Sequence, residues 1–395
     1  MKRSIHIAGA GCCLVDQIYP GVSFSGEGIR RYMSKARGDG GLRPGALVFS
    51  EQFESFSGID LDTAVAEITA DHPEPILNVG GPSIVALIHA GQLLHDTTAT
   101  IHFHGVRGDD WPGRYLQQQL EKTAVRLDHL NILPGATPST IVLSDPRFNR
   151  GHGERAFINH IGVAWQMGPD DLDNSFFEAD VVVFGGTALV PGLHDHLKEL
   201  LERSRNSGCI TVVNTVYDFR NEMRDPGGKW PLGKDEETYQ LVDLLITDQE
   251  EALRLSGQAE VGAAARYIAR QGVSSLLITR GTDSTMAYSD GRLFGPLPLN
   301  AYPVSRNLVN DLKDFRGGDT TGCGDNFAGG VLASIAWQMT GGISQPDLLE
   351  CLAWGTVSGG HCCFHVGGTF VETRPGEKLG RIRPYFEAYM KQIDA

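Results

Sequence analysis

The chain has 395 residues, of which 41% are hydrophobic and 21% charged, a composition typical of a globular protein with a substantial buried core. Its 34 basic and 48 acidic residues give a formal net charge of -14, which argues against nucleic-acid and anionic-membrane partners. The amino terminus shows no charged-then-apolar leader, and no apolar run is long enough to cross a bilayer, so a cytoplasmic location is expected.

The seven cysteines are odd in number and include two adjacent pairs, without a CxxC spacing. This arrangement predicts neither a disulfide framework nor a structural zinc site. Residues 361–365 place two histidines four positions apart, but their small apolar neighbours favour a late core helix over a metal site.

The first predicted element is a buried strand over residues 4–9 (SIHIAG). The Gly-Ala-Gly turn at its end is compatible with dinucleotide binding by a dehydrogenase, although the full GxGxxG fingerprint and its downstream acidic residue are missing. Asp16 follows this turn, and by itself it is an ordinary turn residue.

Residues 20–75 carry many glycines, a basic run between 30 and 37, and an acidic helix-like stretch that ends in the breaker HPEP. The basic run could steer an anionic substrate, but a solvated face is the simpler interpretation. Residues 78–94 then place Gly80 and Gly81 before a helix, where the lack of a Cβ lets the backbone approach a ligand.

Alternation over residues 98–106 predicts a strand on which His102 and His104 share one face as structural residues. Residues 139–145 and 153–165 predict two strands joined by a polar turn. From residue 180 onward strands alternate with helices, which indicates a parallel sheet covered on both faces. The 217–233 loop is too long for a bare connector and is interpreted as surface or homodimer structure.

Asp248 and Glu251 follow a predicted strand, and their hard oxygen ligands suit Mg²⁺. The same residues are also typical of a helix N-cap with an acidic first turn. A later strand ends at Thr279 and turns at Gly281.

The stretch DTTGCGDNFAGGVLASIAW, residues 319–337, predicts an amphipathic helix from about Asn326 to Met339. Its glycine-rich start would expose unpaired backbone N–H groups at the positive end of the helix dipole, which is a phosphate site. Asp325 in this turn is either a helix cap or the base that takes a proton from an attacking hydroxyl.

This stretch resembles the second signature of the ribokinase/PfkB family of carbohydrate kinases, DTTGAGDxFxxG, with Cys323 in place of the usual alanine. Residues 78–94 are similar to the family's first signature, except that Ile84, Val85 and Ala86 occupy the region of its usual asparagine. Residues 244–257 look like its NxxE motif, with Asp248 at the asparagine position.

The resemblance implies an α/β fold: a ribokinase-like three-layer sandwich with a mostly parallel central sheet, helices on both faces and a small β lid. It implies one kinase domain over residues 1–395. Within it, the insertion at 17–75 would be an enlarged lid region or an oligomer contact.

The resemblance also implies ATP-dependent phosphoryl transfer to a hydroxyl of a sugar or sugar-like molecule. Mg²⁺ is the implied metal, and K⁺ near Asp319 is a family feature carried over as a hypothesis. The implied catalytic residues are Asp325 as base and Gly322, Cys323, Gly324 and Asp325 as anion hole. The implied acceptor-binding residues are Asp16, Gly80, Gly81, Arg155 and Asp325. The implied nucleotide-binding residues are Thr279, Gly281, Thr320, Gly322 and Gly324, and the implied metal-ordering residues are Asp248 and Glu251.

Two alternatives share this fold: a nucleoside kinase, and a non-catalytic relative that binds a sugar or nucleotide as a sensor. The complete glycine-rich helix start argues for catalysis, whereas the missing asparagine and the altered NxxE motif argue for the sensor. A dehydrogenase would rest on the Gly-Ala-Gly turn alone and would need to bind NAD.

Overall fold

The structure is a computed structural model that describes residues 4–70, 74–148, 153–313, 315 and 317–394. Fourteen strands lie within these residues: β1 His6–Gly11, β2 Leu14–Pro20, β3 Leu47–Phe49, β4 Ile76–Gly80, β5 Thr100–Gly108, β6 Val125–Leu133, β7 Ser139–Asp145, β8 Glu154–His160, β9 Val181–Gly185, β10 Ile210–Asn214, β11 Leu244–Asp248, β12 Ser275–Thr279, β13 Ser284–Ser289 and β14 Leu297–Pro303.

The same residues form fourteen α-helices: α1 Glu27–Arg30, α2 Ser50–Ser57, α3 Leu61–Ile68, α4 Pro82–Leu93, α5 Trp111–Leu120, α6 Pro191–Asp195, α7 Leu197–Asn206, α8 Phe219–Arg224, α9 Gln249–Ser256, α10 Val261–Arg270, α11 Arg306–Lys313, α12 Cys323–Thr340, α13 Leu348–Cys362 and α14 Glu377–Ile393. Of the described helices, none is long and apolar enough to cross a membrane.

The larger sheet has nine strands in the order β14-β13-β12-β11-β10-β9-β1-β5-β6. The seven strands from β12 to β6 are mutually parallel, and β13 and β14 are antiparallel additions at one edge. Gly11 at the end of β1 is in register with Gly185 at the end of β9, which is in register with Asn214 at the end of β10. The carboxyl ends of the parallel strands therefore form one edge, where ligands of open α/β sheets bind.

Helices cover both faces of this sheet because successive strand side chains point to opposite sides. Ile7, Val183 and Leu244 share one buried cluster with α4, α12, α13 and α14. Ala8, Val182 and Leu245 belong to a second cluster with α7, α9 and α10. The predicted three-layer α/β sandwich is confirmed.

The smaller sheet, which we name the lid sheet, has five strands in the order β3-β8-β7-β2-β4. The insertion at 17–75 supplies β3, α1, α2, α3 and most of β2. The lid sheet is larger than this segment, since it also contains β4, β7 and β8. The two strands predicted on either side of the polar turn pair antiparallel as β7 and β8.

Helix α12 confirms the predicted helix at 326–339, but it is not amphipathic. Residues 326–336 are all buried, because the helix is enclosed by α4 and α13. A Cβ on Gly329 would lie 2.5 Å from the carbonyl oxygen of Ala86 on α4, and one on Gly330 would lie 2.6 Å from that of Trp354 on α13. The two glycines let the neighbouring helix backbones approach closely from both sides.

The insertion and the 217–233 loop contact each other. Arg37 forms ion pairs with the buried Glu222 at 3.4 Å and with Glu250 at 3.7 Å, and Arg43 pairs with Glu250 at 3.1 Å and donates to Tyr217. The basic run is therefore partly engaged in pairing within the chain. The interpretation of the loop as a homodimer contact stays a prediction.

His104 on β5 is buried, and its ring stacks on His129 of β6 with centroids 4.1 Å apart and planes at 6°. His129 Nδ1 lies 3.1 Å from Asp173 Oδ2. The ligand atoms of these three residues lie within 4.8 Å of one another, as a metal would require. However, the nearly parallel rings direct their in-plane lone pairs side by side and not toward one point, which supports the structural role predicted for His104.

Candidate active site

Asp16 lies on β2, directly after the chain leaves β1 for the lid sheet. It is 6% exposed, and it is paired in register with Asn78 on β4. A Cβ on Gly80 would fall 2.1 Å from Asp16 Oδ2, so the carboxylate packs against the bare backbone of Gly80. Strand pairing thus brings together two residues that the sequence placed more than sixty positions apart.

Gly81 joins β4 to α4 with φ of +104°, a left-handed conformation that side chains rarely adopt. A Cβ at this position would lie 2.5 Å from the carbonyl oxygen of Cys12. The glycine pair therefore lets the start of α4 approach the turn between β1 and β2. Asp16, Gly80 and Gly81, all predicted to bind the acceptor, form one surface.

The start of α12, residues 322–325, is named the cradle. Gly322 is the N-cap with φ of +75°, and a Cβ there would lie 2.4 Å from Cα of Gly368. A Cβ on Gly324 would meet no atom within 4 Å. This open space beside the first helical turn can accept a phosphate group.

The backbone donors of the cradle are not equivalent. The N–H of Cys323 donates to the carbonyl oxygen of Thr320 at 3.3 Å. Among the described residues, no carbonyl oxygen accepts from the N–H of Gly324 or Asp325. Cys323 was predicted as part of the anion hole, but its donor is already used, so the free donors are those of Gly324 and Asp325.

Asp325 is the third residue of α12 and does not cap it, because the N-cap is Gly322. Within the described part of the chain, its carboxylate accepts no hydrogen bond. Burial raises the pKa of Asp325 to about 7, and the positive charge of Arg155 opposes this shift. A carboxylate with this pKa can accept a proton near neutral pH.

Arg155 contributes a positive charge to the site from β8, two strands away from Asp16 in the lid sheet. Its Nε is buried without a hydrogen-bond partner, and its guanidinium lies 5.4 Å from the ring centre of Phe157. Burial raises the pKa of Asp16 well above its ordinary value, the charges of Asp325 and Asp319 add to this, and Arg155 opposes it. Arg155 thus offers a free donor close enough to influence both carboxylates.

The side chain of Asn326 connects the cradle to the neighbouring chain segments by hydrogen bonds. Its side-chain amide donates to the carbonyl oxygens of Gly322 at 2.9 Å and Gly368 at 2.8 Å, and its Oδ1 accepts from Lys378 Nζ at 2.9 Å. Lys378 is 1% exposed, and burial lowers its pKa to about 8. The sequence analysis missed both residues. The sequence feature that could have pointed to Asn326 is its position as a polar residue at the start of an apolar run.

A second loop, His365–Thr369, lies beside the cradle and is named the glycine loop. Asp319 Oδ1 accepts from the N–H groups of Thr321 at 2.9 Å and Gly367 at 3.2 Å. Asn78 on β4 donates to the carbonyl oxygen of Thr369 at 3.1 Å and accepts from its N–H at 2.9 Å. The glycine loop therefore connects the lid sheet to the segment where K⁺ was hypothesised.

The predicted metal residues Asp248 and Glu251 lie at the end of β11 and the start of α9, and two of the predicted nucleotide residues, Thr279 and Gly281, lie at the end of the adjacent β12. Asp248 at the end of β11 is in register with Thr279 at the end of β12, and Gly281 follows with φ of +55° beside open space. Thr320, the remaining nucleotide candidate, is exposed just before the cradle. A ligand that contacts these residues and the cradle would have to extend along the carboxyl edge of the larger sheet.

Asp248 and Glu251 form a capping box at the start of α9. Asp248 Oδ1 accepts from the N–H of Glu251 at 2.8 Å, and Glu251 Oε2 accepts from that of Asp248 at 3.2 Å. Thr215 Oγ1 also donates to Glu251 Oε2 at 2.5 Å. Burial raises the pKa of Glu251 to about 8, and the charge of Asp248 adds to this. The helix cap accounts for these bonds, and Asp248 is exposed at the end of β11.

Comparison with known proteins identifies the family. The sequence model of the pfkB family carbohydrate kinases matches residues 60–374. The chain is 26% identical to a cytidine kinase of Thermococcus kodakarensis over 232 residues, 58% of this chain and 71% of that protein. It is 24% identical to an aminoimidazole riboside kinase of Salmonella typhimurium over 245 residues, 59% of this chain and 67% of that protein.

Solved structures show the same fold. An adenosine kinase from Sinorhizobium meliloti aligns with a TM-score of 0.69 and 18% identity, over 96% of this chain and 99% of that chain. A putative ribokinase II from E. coli, in complex with ATP and Mg²⁺, aligns with a TM-score of 0.61 and 17% identity, over 97% and 99%.

The protein belongs to the pfkB family of carbohydrate kinases, so the resemblance seen in the sequence is confirmed. It is a phosphotransferase with an alcohol group as acceptor, and its fold is ribokinase-like. This result excludes the dehydrogenase. The Gly-Ala-Gly turn has another explanation: a Cβ on Gly11 would lie 1.9 Å from the carbonyl oxygen of Gly185 on the neighbouring strand.

Proposed function

We propose that the protein transfers the γ-phosphoryl group of ATP to a hydroxyl group of a sugar or sugar-like small molecule, with Asp325 as the base. Residues 1–395 would act as one kinase domain with 17–75 as an enlarged part of its lid. The proposal rests on the carboxylate of Asp325, which accepts no hydrogen bond within the described residues and has a pKa of about 7. It lies beside the N–H groups of Gly324 and Asp325, which donate to no carbonyl oxygen of those residues.

The acceptor would lie between the lid sheet and the cradle. Asp16 would accept hydrogen bonds from its hydroxyl groups, the bare backbone at Gly80 and Gly81 would allow close approach, and Arg155 Nε would donate to it. Asp325 would take the proton of the attacking hydroxyl group.

The γ-phosphoryl group would lie against the open side of Gly324, where the N–H groups of Gly324 and Asp325 stabilise charge that develops during transfer. Thr279, Gly281 and Thr320 would bind the rest of the nucleotide. Asp248 and Glu251 would hold hydrated Mg²⁺, which neutralises phosphate charge when bound. K⁺ binding near Asp319 stays a prediction, and a potassium titration of activity tests it.

The second candidate is a nucleoside kinase. Two relatives are named for a nucleoside and a riboside, which favours an acceptor that carries ribose. Ile84, Val85 and Ala86 in α4 stand in the region of the asparagine of the family's first signature, so its polar contact to a sugar would be missing or supplied elsewhere.

The first experiment measures ADP release from Mg²⁺-ATP against a panel of sugars, sugar acids, polyols and nucleosides. The acceptor that stimulates turnover identifies the substrate class and separates the two candidates. Wild type is compared with Asp325→Asn, and Asp60→Asn in the exposed N-cap of α3 is the matched control.

We expect Asp325→Asn to lower kcat by roughly 10² to 10⁴, the contribution of a general base, while ATP binding stays nearly unchanged. Asp60→Asn keeps full activity, because asparagine is an equally good N-cap. Equal turnover by wild type and Asp325→Asn would remove Asp325 from its proposed role.

A further inference from the structure

A cavity of about 360 Å³ lies at the β4 edge of the lid sheet. Asp16, Asn78 and Gly80 share one face of the β2–β4 pair, because residues in register point to the same side and alternate residues to opposite sides. Leu77 and Val79 point to the other side, and both line the cavity together with Asn78; Asp16, Gly80 and Gly81 are not among its lining residues. Its remaining walls come from the end of α4 and the residues after it, from α5, and from the segments 122–124 and 369–375.

The cavity has a cationic rim on a strongly acidic protein. Lys122 and Arg374 line it. Among the described lining residues Glu372 is the one acid, and its Oε1 already accepts from the N–H of Lys378 at 2.7 Å. In a chain with a net charge of -14, this local excess of positive charge favours an anionic ligand.

The interior combines apolar walls with one unsatisfied polar group. Gln92 is 8% exposed; its Nε2 donates to the carbonyl oxygen of Phe370 at 2.6 Å, but its Oε1 has no partner. Tyr115 and Val371 also line the cavity, and the side chain of Val371 is 60% exposed. A buried acceptor without a donor costs free energy, which a ligand hydroxyl or amino group would recover.

The volume is at the lower end of the range of roughly 300–1,000 Å³ for small-molecule sites. We propose that this cavity is a regulatory site that binds a phosphate monoester of a sugar or nucleoside. The phosphate would lie at Lys122 and Arg374, and a hydroxyl or amino group of the ligand would donate to Gln92 Oε1.

The cavity connects to the cradle through the glycine loop. Its wall at Phe370 follows directly after Gly367, Gly368 and Thr369. Gly368 accepts from Asn326 and lies against Gly322 in the cradle. A ligand that holds residues 370–374 in place restrains the loop that supports the anion hole. Ligand binding here therefore changes the rate of phosphoryl transfer without contact with the acceptor.

Isothermal titration calorimetry with ribose 5-phosphate and with AMP tests the site. It compares wild type with the double variant Lys122→Gln/Arg374→Gln and with a control of equal charge change, Arg383→Gln/Lys391→Gln, on exposed positions of α14. An inorganic phosphate titration separates recognition of the ester from recognition of free phosphate.

We expect one binding event to weaken at least tenfold in the Lys122→Gln/Arg374→Gln variant and to persist in the control. The stronger ester should also change the kcat of wild type and of the control, but not that of the cavity variant. Identical isotherms for all three proteins, or no binding to wild type at millimolar concentration, would overturn the site. Binding that leaves kcat unchanged would overturn the regulatory role. Because calorimetry does not depend on turnover, failure here is distinguishable from failure of the proposed kinase chemistry.

Discussion

Asp325 and Asp16 illustrate how two carboxylates of one site differ in their surroundings. Asp16 is almost completely buried against Gly80, whereas Asp325 is half-buried and borders the open cradle. Burial is the largest cause of the raised pKa of both groups, and Arg155 opposes both shifts. A proton acceptor needs access to its proton donor, and Asp325, at the open cradle, is the more accessible of the two carboxylates.

The pKa of Asp325 predicts the pH dependence of activity. Because a base acts only when deprotonated, kcat/KM should fall as the pH drops below about 7 and reach a plateau above about 8. A pH series from 5.5 to 9 with the identified acceptor measures this. The residual activity of Asp325→Asn should lack this inflection. A wild-type profile that is flat between pH 6 and 8 would contradict the assignment.

Asn326 provides a prediction about stability. Asn326→Ala leaves the carbonyl oxygens of Gly322 and Gly368 and the ammonium group of the buried Lys378 without this partner. We expect the free energy of unfolding to fall by about 3 kcal/mol, the scale of unsatisfied buried polar groups.

Urea denaturation measures this loss, and Asn310→Ala, at an exposed position of α11, is the control. A loss below 0.5 kcal/mol would show that the amide does not support the cradle.

At the scale of elements, the period-2 and period-3.6 patterns were sufficient to predict the alternation of strands and helices after residue 180. The same patterns did not predict that α12 is buried on all sides. Its apolar spacing fits a single buried face, but Gly329 and Gly330 admit two neighbouring helices, and this depends on contacts that the sequence does not display.

Much of the candidate site could also be predicted, because Asp325 and the cradle are contiguous in sequence. The residues whose side chains support the cradle and the glycine loop could not be predicted. Asn326 meets Lys378 across 52 positions and Asn78 meets Thr369 across 291, and no local pattern encodes such pairs. The capping box of Asp248 and Glu251 was foreseen as one of two interpretations, because a cap is local.

The first turn of α12 gives a direct test of the phosphate site. Gly324→Ala has room for its Cβ in the unliganded protein, and alanine favours helix, so the melting temperature should stay equal or rise. If a phosphate approaches this backbone, the methyl group should raise KM for ATP at least tenfold. Gly380→Ala in α14, which also has free space, should likewise keep or raise the melting temperature but leave KM for ATP unchanged. Unchanged ATP kinetics in Gly324→Ala would place the phosphate elsewhere.

For the whole molecule, the insertion and the 217–233 loop are joined around one buried acid. The side chain of Glu222 is 1% exposed and pairs with Arg254 and Arg37, while Trp230 donates to it at 3.3 Å. Neither segment has a chemical role in the proposed mechanism. Their mutual contact indicates that they stabilise the position of the lid.

Glu222→Ala should lower the free energy of unfolding by about 3–5 kcal/mol, because it leaves the guanidinium of Arg254 buried without its partner. Arg37→Ala removes a partner whose side chain is 45% exposed and should cost no more than about 1 kcal/mol. Chemical denaturation of both variants measures the contrast. Equal losses would show that Glu222 is not the centre of this contact.

The order of strands in the larger sheet has a consequence for synthesis on the ribosome. Strand β1 ends at Gly11, but its two neighbours are β5 and β9, and β9 begins at Val181. Such distant pairing makes folding slow and leaves the early strands unpaired while translation proceeds. Lys378, whose Nζ donates to Asn326 beside the anion hole, is translated after all of these strands. A nascent chain is therefore expected to bury its sheet before it can complete the hydrogen bonds that support the anion hole.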